Sequence, residues 1–283
     1  MATGAMIAVS RLFVGDSGSH PSEGIYPRRF GKRFMKGRRA EIMRTATACL
    51  LLAFGVRCAE AQDFHRSYSL LQGGQIAVGN VLGDVRITGY KGKSVEIVAY
   101  KKGPERDQVV IHDRSFGNRI DLHPVYPPFH TNSTVVDFEI QVPDSVPYNF
   151  SRISTFRGNV EVSHVAGGLR AESVRGNVRI RDVCCMVSAS TMSGDILVEI
   201  DGVRERGNMR FSSISGSIEI RAAADLDALI DMASSSGTLK TDFPIEIQES
   251  RYGPGRSARG RLGEGKLILF MRSVHGTVRL SRK

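Results

Sequence analysis

From about residue 64 to the end of the chain, short runs of alternating apolar and polar residues recur, each broken by a glycine. Seven segments share one template: a small polar residue, an apolar one, any residue, glycine, a short turn-former, then apolar–any–apolar. They are 80–87 (NVLGDVRI), 155–162 (TFRGNVEV), 173–180 (SVRGNVRI), 191–198 (TMSGDILV), 213–220 (SISGSIEI), 234–241 (SSSGTLKT) and 273–280 (SVHGTVRL). The second and fourth positions after the glycine are apolar in every copy except at Thr241. That period of two predicts a strand with one buried face. The residue between them is Arg86, Glu161, Arg179, Leu197, Glu219, Lys240 or Arg279, an outward column whose acids and bases can pair if the copies stack. A weaker strand precedes each bend, as in Leu169-x-Ala171, Val187-x-Ala189 and Met209-x-Phe211. A strand–bend–strand unit of this size cannot bury its face alone, whereas stacked copies can. The expected fold is all-β: a β-solenoid-like stack of short strand–Gly bend–strand repeats, with a β-sandwich as the alternative.

The template glycine suits a bend or a close backbone approach. The residue after it is Asp84, Asn159, Asn177, Asp195, Ser217, Thr238 or Thr277, each able to bond nearby backbone. Further strands are expected within 64–102 and 109–142, with a loop marked by Pro124, Pro127 and Pro128. The Gly- and Arg-rich stretch 249–265 reads as a loop. Long helical patterns are absent, and the one short candidate, 225–232, sits between strand patterns that argue against it.

The first sixty residues break this pattern. Basic residues from Lys36 to Arg44, the apolar stretch 45–56 (TATACLLLAFGV) and Ala59-Glu60-Ala61 have the order of a secretory signal peptide over 35–61. The apolar run is well short of the roughly twenty residues that span a bilayer. Residues 1–34 read as a disordered extension or a mis-assigned start, and 62–283 as a single all-β repeat domain. The first 61 residues hold ten of the 39 basic and four of the 29 acidic residues, which reduces the net charge from +10 to +4 for the remainder. Most of the basic character is therefore leader, and no concentrated basic face suggests nucleic acid. Cys49 and Cys58 fall in the leader. Adjacent Cys184 and Cys185 are expected as free thiols, with a strained vicinal bridge or an intermolecular bond as the alternatives.

Candidate chemistry is sparse. A β-helical glycan-active enzyme needs converging carboxylates, for which Asp84 and Asp195 are the candidates. Their column also accepts Asn, Ser and Thr, which points to turn bonding instead. His123 and His130 flank the proline loop with Tyr126 and Phe129 at a spacing that matches no metal-ligand pattern. No Gly-x-Ser-x-Gly elbow is present. Arg251, Arg256, Arg259 and Arg261 read as a solvated loop, or as a contact for an anionic partner. No catalytic, cofactor-binding or metal site is assigned, and no cofactor is expected.

The copies containing Ser193-Gly194-Asp195 and Ser215-Gly216-Ser217, the opening 83–87 (GDVRI), the 241–244 step (TDFP) and the closing 273–278 (SVHGTV) resemble a bacterial adhesin-like β-strand-repeat family of unknown function, DUF4097-like. The resemblance covers nearly all of 63–283. It implies an exported, non-catalytic module of the cell envelope, adhesin-like or a scaffold, in the periplasm, at the outer surface or secreted. Its partner would be an unidentified envelope protein or surface polymer, with no transmembrane span after signal cleavage; the oligomeric state is left open. His275 and Ser235 depart from the family pattern.

Overall fold

The computed structural model describes residues 63–128, 133–183, 186–200, 206–251 and 253–283, all within one compact unit, Cys58–Lys283. Residues 1–62, which include the expected signal peptide 35–61, and Phe129, His130, Cys184 and Cys185 lie outside the described residues. The described residues contain no helix. They form two sheets of ten and eleven strands.

Each template copy is one coil that gives a strand to either sheet. Coil 1 is Gln75–Leu82 and Val85–Tyr90. Coil 2 is Asn149–Arg157 and Val160–Ser163, coil 3 Leu169–Arg175 and Val178–Val183, and coil 4 Val187–Ser193 and Ile196–Ile200. Coil 5 is Gly207–Ser215 and Ile218–Ala222, coil 6 Ala228–Ser234 and Leu239–Thr241, and coil 7 Leu267–His275 and Val278–Arg282. The first strand of each lies in the eleven-stranded sheet and the second in the ten-stranded sheet, and neighbouring coils run parallel. The two sheets face each other as in a sandwich, but the parallel ladders make the fold a flattened solenoid. Val85, Val160, Val178, Ile196, Ile218, Val278 and Leu239 pair in sequence along one row, all buried. The period-two apolar positions thus share one interior. Across it, Ile153, Ala171, Ala189, Phe211, Met271 and Met232 form a facing buried row.

The spatial order is not the sequence order. Coil 7 lies between coils 5 and 6 in both sheets. At the other end, an eighth coil, Arg119–Val125 and Val135–Pro143, lies outside coil 1 although it follows it in the chain. The stretch 249–265 is not simply a loop: Arg256–Leu262 is a strand antiparallel to coil 6, followed outward by Ile247–Glu249. Ala258 and Leu262 point inward with Gly260 between them, so glycine at the middle inward position hides the alternation from sequence reading. Arg256 is paired with Glu249 and Arg259 with Asp231, which ties this edge to the stack.

The opposite end is capped by antiparallel strands, Phe64–Tyr68 and Val95–Lys102 in one sheet and Val110–Asp113 in the other. Asp113 joins the two edges: it accepts hydrogen bonds from Tyr68 Oη at 2.8 Å, from Arg66 and from the Ser115 amide at 2.9 Å. Burial opposes its charge, but the Ser115, Tyr68 and Arg66 contacts outweigh this and lower its pKa. Burial, followed by the Asp113 bond and charge, pushes Tyr68 up to about 12. A lowered carboxylate pKa stabilises the fold above the ordinary 3.8 and loses that effect as pH falls through the folded value. A raised phenol pKa stabilises below 10.0 and loses it as pH climbs towards 12. Wild type is therefore expected to melt above Asp113→Asn by a margin that is flat near neutrality and shrinks in acid and in strong alkali. Paired thermal melts across pH check this, and a margin that grows in acid would refute it.

Candidate functional site

The bends account for the template's polar residues. Asp137 Oδ1 accepts the Asp84 amide at 2.9 Å, and Asp84 Oδ1 accepts the Asn159 amide at 2.7 Å. Asn159 Oδ1 accepts from Asn177 at 3.0 Å, Asn177 Oδ1 from Asp195 at 2.8 Å and Asp195 Oδ1 from Ser217 at 2.7 Å. From Asp137 to Asp195 the column is a ladder in which each side chain holds the backbone of the next coil, so Asp and Asn interchange. Asp84 and Asp195 are separated by the coils of Asn159 and Asn177, three strand spacings or roughly 14 Å. Carboxylate pairs that cleave glycosidic bonds stand about 5–9.5 Å apart. Asp137 is adjacent to Asp84, but its carboxylate also faces Lys102 at 3.6 Å.

The outer face of the ten-stranded sheet is occupied by its own charges. Glu139, Arg86, Glu161 and Arg179 form a continuous ladder at 3.4, 3.3 and 3.1 Å. Arg221 contacts Glu219 and Glu199, and Lys283 contacts Glu199 and Asp182. Exposed pairs of this kind add little stability each; they engage many of this face's charges, while the exposed Arg181, Lys240 and Arg279 make no ion pair among the described residues.

The outer face of the eleven-stranded sheet is different. Ser188, Ser190 and Ser212 form the floor of a groove of about 360 Å³, with Arg170 and Glu172 on one side and Asn208 and Arg210 on the other. The floor is low because these three side chains are small and stand over Ala171 and Ala189. Arg170 and Arg210 flank Ser188 in register, about 10 Å apart across two strand spacings. Arg170 Nε donates to Glu172 at 2.7 Å, which holds the first wall. The Arg210 guanidinium lies 5.3 Å from the centre of the Phe270 ring, which holds the second. Arg210 makes no ion pair among the described residues, unlike Arg272 beside it, whose Nη2 donates to both carboxylate oxygens of Asp231. A rigid guanidinium beside three small hydroxyls suits carboxylate, sulfate or phosphate groups on a hydroxyl-rich chain. This geometry sits on an array of coils whose repeat is also recognisable by comparison.

Residues 129–253 match the family model described as Toastrack DUF4097. The resemblance drawn from the repeat template is thereby borne out. The Toastrack match takes in coils 2 to 6 and with them the groove floor and Arg210, while coils 1 and 7 lie outside it. The chain is also similar to solved structures. One is described as a candidate cell adhesion protein from Clostridium sporogenes ATCC 15579, at 10% identity over 78% of this chain and 99% of that one, TM-score 0.39. Another is a candidate adhesin from Bacteroides fragilis NCTC 9343, at 12% identity over 77% and 96%, TM-score 0.31. No curated protein matches the chain.

Of the sequence candidates, Asp84 and Asp195 lie in the bend ladder and are not brought together. His123 pairs with His112 in the edge hairpin, their rings edge-on at 5.5 Å. Burial, then Arg114 and His112, lowers the His123 pKa. Among the described residues no three metal-ligating side chains cluster. Arg256 and Arg259 belong to an ion-paired edge strand. The groove itself was missed: its residues are the outward positions of each coil's first strand, and their only sequence signal is the run of serines at Ser188, Ser190 and Ser212.

Proposed function

We propose that this chain is an exported, non-catalytic β-repeat module of the bacterial cell envelope, adhesin-like or a scaffold, which holds an anionic surface polymer in the groove between Arg170 and Arg210. The observation that carries this is the contrast between faces. The Glu139–Arg86–Glu161–Arg179 ladder pairs its charges on one sheet and the bend carboxylates hold backbone, while the groove presents Arg210 and small hydroxyls outward. The Toastrack match and the repeat architecture support a binding module rather than an enzyme. The order of basic residues, apolar run and small residues over 35–61 supports export, and no helix among the described residues is long and apolar enough to cross a membrane.

Retention on immobilised dextran sulfate compared with neutral dextran tests the reading. Arg210→Ala is expected to weaken retention about tenfold or more, since a charged hydrogen bond contributes about 1.5–3 kcal/mol. Asp84→Asn is expected to leave binding unchanged and stability within about 0.5 kcal/mol, because Asn159 and Asn177 already serve the same role. Release of reducing ends from an envelope glycan that Asp84→Asn abolished would establish the enzyme instead. Cell fractionation that left the chain in the cytoplasm would refute export.

A further inference from the structure

The second template position is apolar in six of the seven copies, yet the interior does not use it. Phe156, Met192, Ile214 and Val274 are 48%, 53%, 47% and 39% exposed, and Val81 and Val174 are half-buried. The flanking register pairs set them side by side in neighbouring strands, in the order Val81, Phe156, Val174, Met192, Ile214, Val274. Five strand spacings make this ridge about 24 Å long. Single exposed apolar residues are ordinary on a protein surface, but a contiguous row at the margin of a sheet is not. Neither burial nor strand pairing requires these side chains to be apolar.

We propose that this ridge docks onto an anionic lipid surface. A second copy is a poor occupant: one row of half-exposed side chains falls well short of the roughly 800 Å² per partner that a stable interface buries. A lipid surface needs no matching shape and accepts an apolar row at the boundary between headgroups and acyl chains. Charge agrees. The residues that follow the ridge are the buried Leu82 and the exposed Arg157, Arg175, Ser193, Ser215 and His275, without an acid among them. Arg157 and Arg175 make no ion pair among the described residues, so two cations flank the Phe156 and Val174 end. Of the acids nearby, Glu172, two residues before Val174 on the same face, is paired with Arg170, and Asp84 and Asp195 each hold the amide of the next coil. The ridge adjoins the Arg210 groove, since Val174, Met192 and Ile214 stand two residues after Glu172, Ser190 and Ser212 on the same face, but this inference does not depend on the groove reading.

The unit 58–283 contains the whole described core and is the form to test. Sedimentation with phosphatidylcholine vesicles containing about a quarter phosphatidylglycerol is compared with phosphatidylcholine alone at low salt. Wild type is expected to favour the anionic vesicles. Phe156→Ser with Met192→Ser and Ile214→Ser should lower partitioning about tenfold or more, as buried apolar groups are lost. Arg157→Gln and Arg175→Gln should each lower it about fivefold, the effect of one basic residue near an anionic surface. If the triple variant fails to fold, Met192→Ser alone and the two arginine variants carry the test. Absence of wild-type binding, equal binding by the serine variants, or a ridge variant that changes only the oligomeric state would each overturn the proposal.

Discussion

Gly176→Ala is expected to destabilise the domain by about 3 kcal/mol or more, the upper range for forcing an atom into a packed interior. A Cβ on Gly176 would overlap the carbonyl carbon and oxygen of Gly158 in the adjoining coil. Both partners are backbone, so no rotamer change relieves the clash. The Gly176 amide also donates to the Ser193 carbonyl of the next coil at 2.9 Å, which fixes it from the other side. Relief requires coils 2 and 3 to separate, and that would stretch the Asn159–Asn177 bond and the Val160–Val178 contact together. Gly158, Gly194, Gly216, Gly237 and Gly276 meet the same obstruction from their own neighbours. Gly168, in the connection before coil 3, has open space around an added Cβ and is the control. There, alanine is expected to be neutral or slightly stabilising, because it restricts the unfolded chain. Urea unfolding of the two variants measures the difference. A Gly176→Ala loss no larger than that of Gly168→Ala would show that the coils are not in close contact at the bend.

The repeat unit was legible because burial imposes a period of two on each strand and backbone contact imposes glycine at each bend. Stacking of charges was legible as well: Arg86, Glu161 and Arg179 alternate in sign along neighbouring coils and do pair. The order of coils 5, 7 and 6 was not. Copies of one template offer nearly the same surface to a neighbour, so the template alone does not distinguish one pairing from another. The only hint was the long interval between Gly237 and Gly276, which accommodates the edge strands at Ile247–Glu249 and Arg256–Leu262. The eighth coil was hidden for a related reason. Val136 stands where other coils have glycine, beside Gly83. It is first in the parallel stack, so no preceding bend carbonyl presses on it. The apolar second position of the template was legible but not its outward direction. The groove was illegible because outward positions are under no packing constraint, and a serine in a strand reads as solvent-exposed whether or not it forms a floor.

Thr191→Val is the second large effect, expected to cost about 2 kcal/mol. Thr191 is 5% exposed, and its hydroxyl donates to the Gly176 carbonyl at 3.1 Å. Valine keeps the shape and leaves that buried acceptor without its donor, a loss of about 1–3 kcal/mol. Thr191→Ser should cost much less, since Ser173 makes the same bond to Gly158 and Ser213 to Gly194. Melting curves for the two variants separate loss of the hydroxyl from loss of the methyl. Equal destabilisation would place the effect in packing and discard the hydrogen bond. The bond also explains why the template couples its first and fourth residues. In coil 4, Thr191 donates to the same Gly176 oxygen that Gly194 makes room for. The small polar residue and the glycine three positions later are one device for receiving the neighbouring coil's carbonyl. The pairs Ser273–Gly216 and Ser234–Gly276 repeat it across the out-of-order coils, at 3.0 and 2.9 Å. One local rule therefore holds the stack together without regard to chain order, which is why the last coil can insert between the fifth and sixth.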